Sequence, residues 1–124
     1  MSIQLLRGIG AAMLVAGSMM QGAAAHHSYA MFDKEKTQVI KGTLYAVEWK
    51  NPHSWIWIAV GNKKGGTDLW GLEGTSPASM TRLGFTKSNL VVGTAVTATL
   101  NPLKDGRMGG GLVELKFADG RATK

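Results

Sequence analysis

Between Gln38 and Phe117 the chain repeatedly alternates apolar and polar residues, and only one stretch changes to a helical period. Gln38–Glu48 places Ile40, Leu44 and Ala46 on one face and Val39, Lys41, Thr43 and Tyr45 on the other. Period-two spacing with β-branched residues reads as a strand. After the break at Asn51-Pro52, residues 55–60 alternate Ile56, Ile58 and Val60 against Trp55, Trp57 and Ala59. The glycine-bearing segment 61–66 reads as a hairpin loop into a third strand, 68–73. Ser76-Pro77 then supplies a helix cap with proline at the first helical position. Ala78, Met80 and Leu83 form its apolar stripe, and Gly84 ends it. Residues 94–100, with Val96, Ala98 and Leu100 inward, make a fourth strand. Residues 101–110 read as a turn-rich connection, and Asp105-Gly106 and Gly109-Gly110-Gly111 as turn chemistry. Leu112–Phe117, with Val113, Leu115 and Phe117 alternating, completes a fifth strand. Three strands, a helix of about two turns and two more strands within about 80 residues give an all-β fold with one short helix, an OB-fold-like five-stranded barrel. A β-sandwich needs about seven strands and does not fit.

The first 25 residues have a different character. One cation, Arg7, precedes an apolar run from Gly8 to Met20, followed by Gln21-Gly-Ala-Ala-Ala25. Small residues at −3 and −1 of a cut after Ala25 complete the pattern of a secretory signal peptide. The run of about 13 residues falls short of the roughly 20 that span a bilayer. The expected organisation is a signal peptide at 1–25, an N-terminal arm at 26–37 and an OB-like barrel domain at 38–120. The mature chain has no transmembrane segment and is expected in the periplasm or outside the cell. The absence of cysteine excludes disulfides, thiolate metal sites and a thiol nucleophile, so packing alone must hold the barrel in an oxidising compartment.

All three histidines survive that cut, in the motifs His26-His27-Ser28 and Asn51-Pro52-His53-Ser54-Trp55. Cleavage after Ala25 gives His26 a free α-amine beside its own imidazole. That is a strong donor set for Cu(II), which heads the divalent affinity series and favours tetragonal nitrogen ligation. Cleavage one residue earlier gives Ala25-His26-His27, whose third-position histidine and two intervening amides form another square-planar chelator. His53 completes a three-histidine copper site if the arm folds back over the loop that carries it. Two bland readings stand beside this one. Terminal histidines bind metal whether or not it serves the cell, and a loop histidine after proline also satisfies backbone carbonyls.

Trp55, Trp57 and Trp70 fall on the second and third strands, the usual ligand surface of an OB barrel. Exposed there, they would stack on carbohydrate or another small ligand; buried, they would cover the barrel. The formal charge of +6 falls only to +5 when Arg7 is removed, and no cationic run exceeds two residues. This diffuse charge disfavours nucleic acid; an acidic polysaccharide or anionic membrane surface fits export better, and a solvated basic surface with no partner fits best. Glu48, Glu73 and Asp33 are not paired by their spacing, and Ser76 lacks a nucleophile frame. No catalytic constellation emerges, so the expectation is a non-enzymatic binding module. Its partner is expected to be a small molecule or a protein of an envelope complex.

The segments His26-His-Ser-Tyr-Ala-Met-Phe-Asp33, Val47-Glu-Trp-Lys-Asn-Pro-His-Ser-Trp55, Ser76-Pro77, Arg82-Leu-Gly-Phe-Thr86 and Asn101-Pro-Leu-Lys-Asp-Gly-Arg107 together resemble an uncharacterised family of small exported bacterial proteins, classed as a domain of unknown function. The resemblance spans essentially the whole mature chain. It implies export from a bacterial, Gram-negative cell and an OB-like barrel, and it brings no catalytic residue.

Overall fold

The computed structural model describes residues 30–123. The segment 1–25 and the histidines at 26 and 27 lie outside the described residues.

The elements run β1 (Gln38–Glu48), β2 (Trp55–Gly61), β3 (Thr67–Glu73), α1 (Pro77–Arg82), β4 (Ala95–Pro102), β5 (Gly109–Phe117) and β6 (Ala122–Thr123). The sheet order is β3-β2-β1-β4-β5-β6, and a further β3–β5 pairing closes the first five strands into a barrel. The closing pair is parallel, and all other strand pairs are antiparallel. This is the OB-like arrangement expected from the alternation. β1 serves both halves, pairing with β4 through Gln38–Thr43 and with β2 through Thr43–Glu48.

Inward-facing Ile40, Leu44, Ile56, Ile58, Leu72, Ala98, Leu100 and Leu115 are buried and form one cluster. Each fully buried aliphatic side chain of this kind contributes about 1.5–3 kcal/mol. α1 adds Met80 to this cluster, and Phe85 just beyond it adds a ring. Ser76 caps the helix, its Oγ accepting from the Ser79 N–H at 3.3 Å. At the other end Gly84 takes a φ of +93°, and the Phe85 N–H reaches back to the Met80 carbonyl.

Two bulges correct the simple alternation. Leu44 pairs with Ile58, but Ala46 pairs with Trp57, so Tyr45 is an extra residue and is exposed. The face therefore switches, and Val47 rather than Ala46 packs against the core. Likewise Thr99 pairs with Glu114 and Leu100 with Leu112, which leaves Val113 as the extra residue. Leu112 packs against the core while Val113 is exposed. A bulge inserts one residue and reverses the side-chain parity beyond it.

Gly109-Gly110-Gly111 is not a turn. These residues open β5 and pair with Gly71, Leu72 and Glu73, forming the closing seam. Neither neighbour leaves room for a side chain: a Cβ at Gly109 would lie 2.6 Å from the Gly71 carbonyl oxygen across the seam, and one at Gly110 2.1 Å from the Asn101 carbonyl oxygen of β4.

The arm is ordered against the β4–β5 connection. Phe32 forms a bridge with Leu103, the Asp33 N–H donates to the Pro102 carbonyl at 2.8 Å, and the Lys104 N–H donates to the Met31 carbonyl at 2.9 Å. The Asn101 amide also donates to the Lys36 carbonyl at 2.8 Å.

Gly110→Ala is expected to lower stability by about 2 kcal/mol or more, because β5 must move away from the Asn101 carbonyl of β4 to admit the methyl group. Gly61→Ala, where a Cβ meets nothing within 4 Å, is expected to stay within about 0.5 kcal/mol of the parent. Thermal denaturation of the two variants checks the contrast.

Candidate functional site

The loop between β1 and β2 carries a cis Asn51–Pro52 bond and then His53. Ser54 fixes the loop to the end of β3: its N–H donates to the Thr75 carbonyl at 2.8 Å, and its carbonyl accepts from the Gly74 N–H at 2.8 Å. This extra rung sets His53 beside Glu73, the last residue of β3. His53 Nδ1 lies 2.5 Å from Glu73 Oε1, with side-chain exposures of 16% and 6%. A glutamate so deeply buried needs a partner, since an unpaired carboxylate loses its hydration without compensation. The contact also fixes the imidazole, because Nδ1 faces the carboxylate and Nε2 becomes the nitrogen directed elsewhere.

The pair lies next to the arm. Glu73 is the cross-strand partner of Gly111, and the Phe32 ring lies over Gly111, 3.1 Å from where a Cβ would stand. Among the described residues no group of three or more histidine, cysteine, aspartate or glutamate side chains converges. Of the three histidines expected to bind copper, the described residues contain only His53. Sequence reasoning weighed Glu73 as an acid without a partner and missed its pairing with His53. Its partner is 20 positions away, and no spacing rule links a loop histidine to a strand-end carboxylate.

The tryptophans separate. Trp55 and Trp57 share the outer face of β2, their rings offset-stacked with centroids 6.0 Å apart and planes at 22°. Trp57 lies over Gly71, where a Cβ would come within 2.6 Å of the ring. Its Nε1–H donates to Glu48 Oε1 at 2.9 Å, and Glu48 also pairs with Lys50. Trp70 is opposite Ile58 across the β2–β3 pair and packs against the core. It therefore faces the barrel interior and does not join the other two.

Lys50 first, and then the indole N–H of Trp57, hold the Glu48 carboxyl below its ordinary range. A depressed pKa means that the clamp is present at neutral pH and is lost as pH falls through the lowered value. Tryptophan emission should therefore change in acid with a midpoint below that of an ordinary glutamate. Glu48→Gln should abolish that transition in a fluorescence titration.

Among the described residues no helix is long and apolar enough to cross a membrane. No curated protein matches the chain. Among solved structures the fold is similar to the crystal structure of the mitochondrial single-stranded DNA binding protein Rim1 from S. cerevisiae. That likeness has a TM-score of 0.50 at 11% sequence identity, and covers 69% of this chain and 97% of that one. At such low identity the likeness concerns the fold alone. The resemblance read from the His-His-Ser and Asn-Pro-His motifs extends to a family-wide sequence pattern covering residues 13–113, and the chain belongs to that family, DUF6152, a family of unknown function.

Proposed function

We propose that the protein is an exported, periplasmic OB-like binding module that coordinates Cu(II) through His26, His27 and His53. The observation that carries this reading is the buried contact between His53 Nδ1 and Glu73. A metal-binding histidine commonly donates its other ring nitrogen to a carboxylate, which fixes the ring and raises its basicity. His53 would ligate through Nε2, and Glu73 would hold it in place. Reach supports the same reading. Phe32 stands at the cross-strand neighbour of Glu73, and the five residues from Phe32 back to His27 span at most about 17 Å. The terminal amine, two adjacent imidazoles and a held third imidazole form a nitrogen-rich set that suits Cu(II) better than harder cations.

The test uses untagged protein exported by its own leader, with the terminus fixed by intact mass. Copper titration followed by EPR should show one nitrogen-ligated Cu(II) per chain. His53→Ala should alter the spectrum, and Glu73→Gln should weaken binding by about 10–100-fold. If His53→Ala lowers thermal stability yet leaves the spectrum and affinity unchanged, the pair is only structural and the three-histidine site is wrong.

The clamped Trp55–Trp57 stack favours a second reading, a carbohydrate or other small ligand on the outer face of β2. Aromatic stacking on OB surfaces contributes about 1–3 kcal/mol per base in single-strand binders. The similar yeast protein is a single-stranded DNA binding protein, but the diffuse charge here argues against that partner. Quenching of tryptophan emission by oligosaccharide, retained after deletion of residues 26 and 27 and lost in Trp55→Ala, would support this reading. Quenching by oligonucleotide alone would replace it.

A further inference from the structure

Trp49 follows β1, packs against the barrel core and also lines an open groove of about 450 Å³. Pro77, Ala78 and Thr81 of α1 form a second wall, and Thr86 and Lys87 a third. Met80 of the same helix is turned into the core, so the groove runs along residues that the barrel does not use. Ala78, Thr81 and Lys87 are exposed, and Trp49, Pro77 and Thr86 are half-buried. A guest therefore meets accessible side chains on every wall. The volume falls within the roughly 300–1,000 Å³ range of small-ligand sites.

The indole and the cation stand on fixed supports. Core packing holds Trp49. Lys87 lies in a tight turn, in which the Thr86 N–H donates to Asn89 Oδ1 at 2.9 Å and the Leu90 N–H to the Thr86 carbonyl at 3.0 Å. Leu90 is buried in the core, and the Asn89 amide donates to the Gly84 carbonyl at 2.7 Å, which ties the turn to the end of α1. Among the described residues the lining carries one cation, the Lys87 ammonium, one indole N–H, and no carboxylate. Two donors without an acid select a guest that is rich in acceptors and negatively charged. The groove is open, so its occupant keeps one side in water. An aromatic ring gains most when both faces are enclosed, whereas a sugar ring can lay its C–H face on an indole and leave its hydroxyl groups hydrated.

We infer that this groove is a binding site for an acidic sugar, with the pyranose ring on Trp49 and the carboxylate paired with Lys87. This goes beyond the copper reading and concerns a different surface from the Trp55–Trp57 stack. The test uses metal-free protein kept in chelator and reads each tryptophan separately, so its failure is distinguishable from the failure of either of those readings.

The probes are methyl glucuronide, methyl glucoside and benzoate, followed by NMR through the indole N–H signals of nitrogen-labelled protein, with Trp49 assigned by backbone connectivity. Methyl glucuronide should move the Trp49 signal at millimolar concentration. It should bind about three- to fivefold more tightly than methyl glucoside, the factor that one exposed ion pair supplies. Lys87→Ala, a change at an exposed turn position, should remove that preference. Ala78→Glu should abolish binding of the glucuronide without lowering thermal stability, because it sets a carboxylate in the groove at the first turn of α1, where an acid suits the helix. A Trp49 signal that the glucuronide leaves in place, a shift confined to Trp55 and Trp57, or glucoside or benzoate binding as tightly as the glucuronide would overturn the inference.

Discussion

The close approach of β3 and β5 is the constraint on which the rest of the molecule depends. Without it β3 and β5 would be separate edges of an open sheet, and three rungs of parallel pairing between Gly71–Glu73 and Gly109–Gly111 join them. Only glycine permits this approach at Gly109, where the Gly71 carbonyl oxygen occupies the space a Cβ would need. The seam also governs chemistry. It fixes the end of β3, and with it the Glu73 carboxylate, against the surface on which Phe32 is seated. A buried acid, a loop histidine and the arm become neighbours because the barrel closes at that point.

The Ser54 rung works in concert with the seam. It extends the β2–β3 pairing past the strand ends, so His53 is held by backbone geometry before its side chain finds Glu73. The same outer surface carries the Trp55–Trp57 stack a few residues along β2, clamped from β1 by Glu48 and cushioned by a glycine of β3. An imidazole in the loop and an indole on β2 are thus each held by a glutamate from a neighbouring strand, with Trp55 stacked on Trp57. The carboxylates differ in setting: Glu73 is buried, whereas Glu48 is partly open to water and shared with a lysine.

Much of this architecture was legible in the alternation. The inward residues of β2 and β4 follow directly from their period, because those strands run through the core without interruption. The parity failed where a residue is added: Tyr45 and Val113 shift the face of everything beyond them, and nothing local in either stretch announces a bulge. The triple glycine was misleading for a related reason. Glycine marks both a turn and a close backbone contact, and only the β3 partner, nearly 40 residues away, decides between them. Trp70 has the chemistry of a surface stacker, yet its place opposite Ile58 turns it inward. His53 stood out by its motif and Glu73 only as an acid without a partner, since their contact is created by tertiary closure.

β1 has a consequence of another kind. Because Thr43 takes part in pairing on both sides, neither half of the barrel can separate without breaking the same strand, so the barrel opens and closes as one cooperative unit. The arm is outside that unit. It is attached through Phe32, the backbone contacts at Met31 and Asp33 and the amide of Asn101. The molecule therefore combines two kinds of attachment: a barrel closed by strand pairing, which holds His53 beside Glu73, and a strap held by a few contacts along the β4–β5 connection.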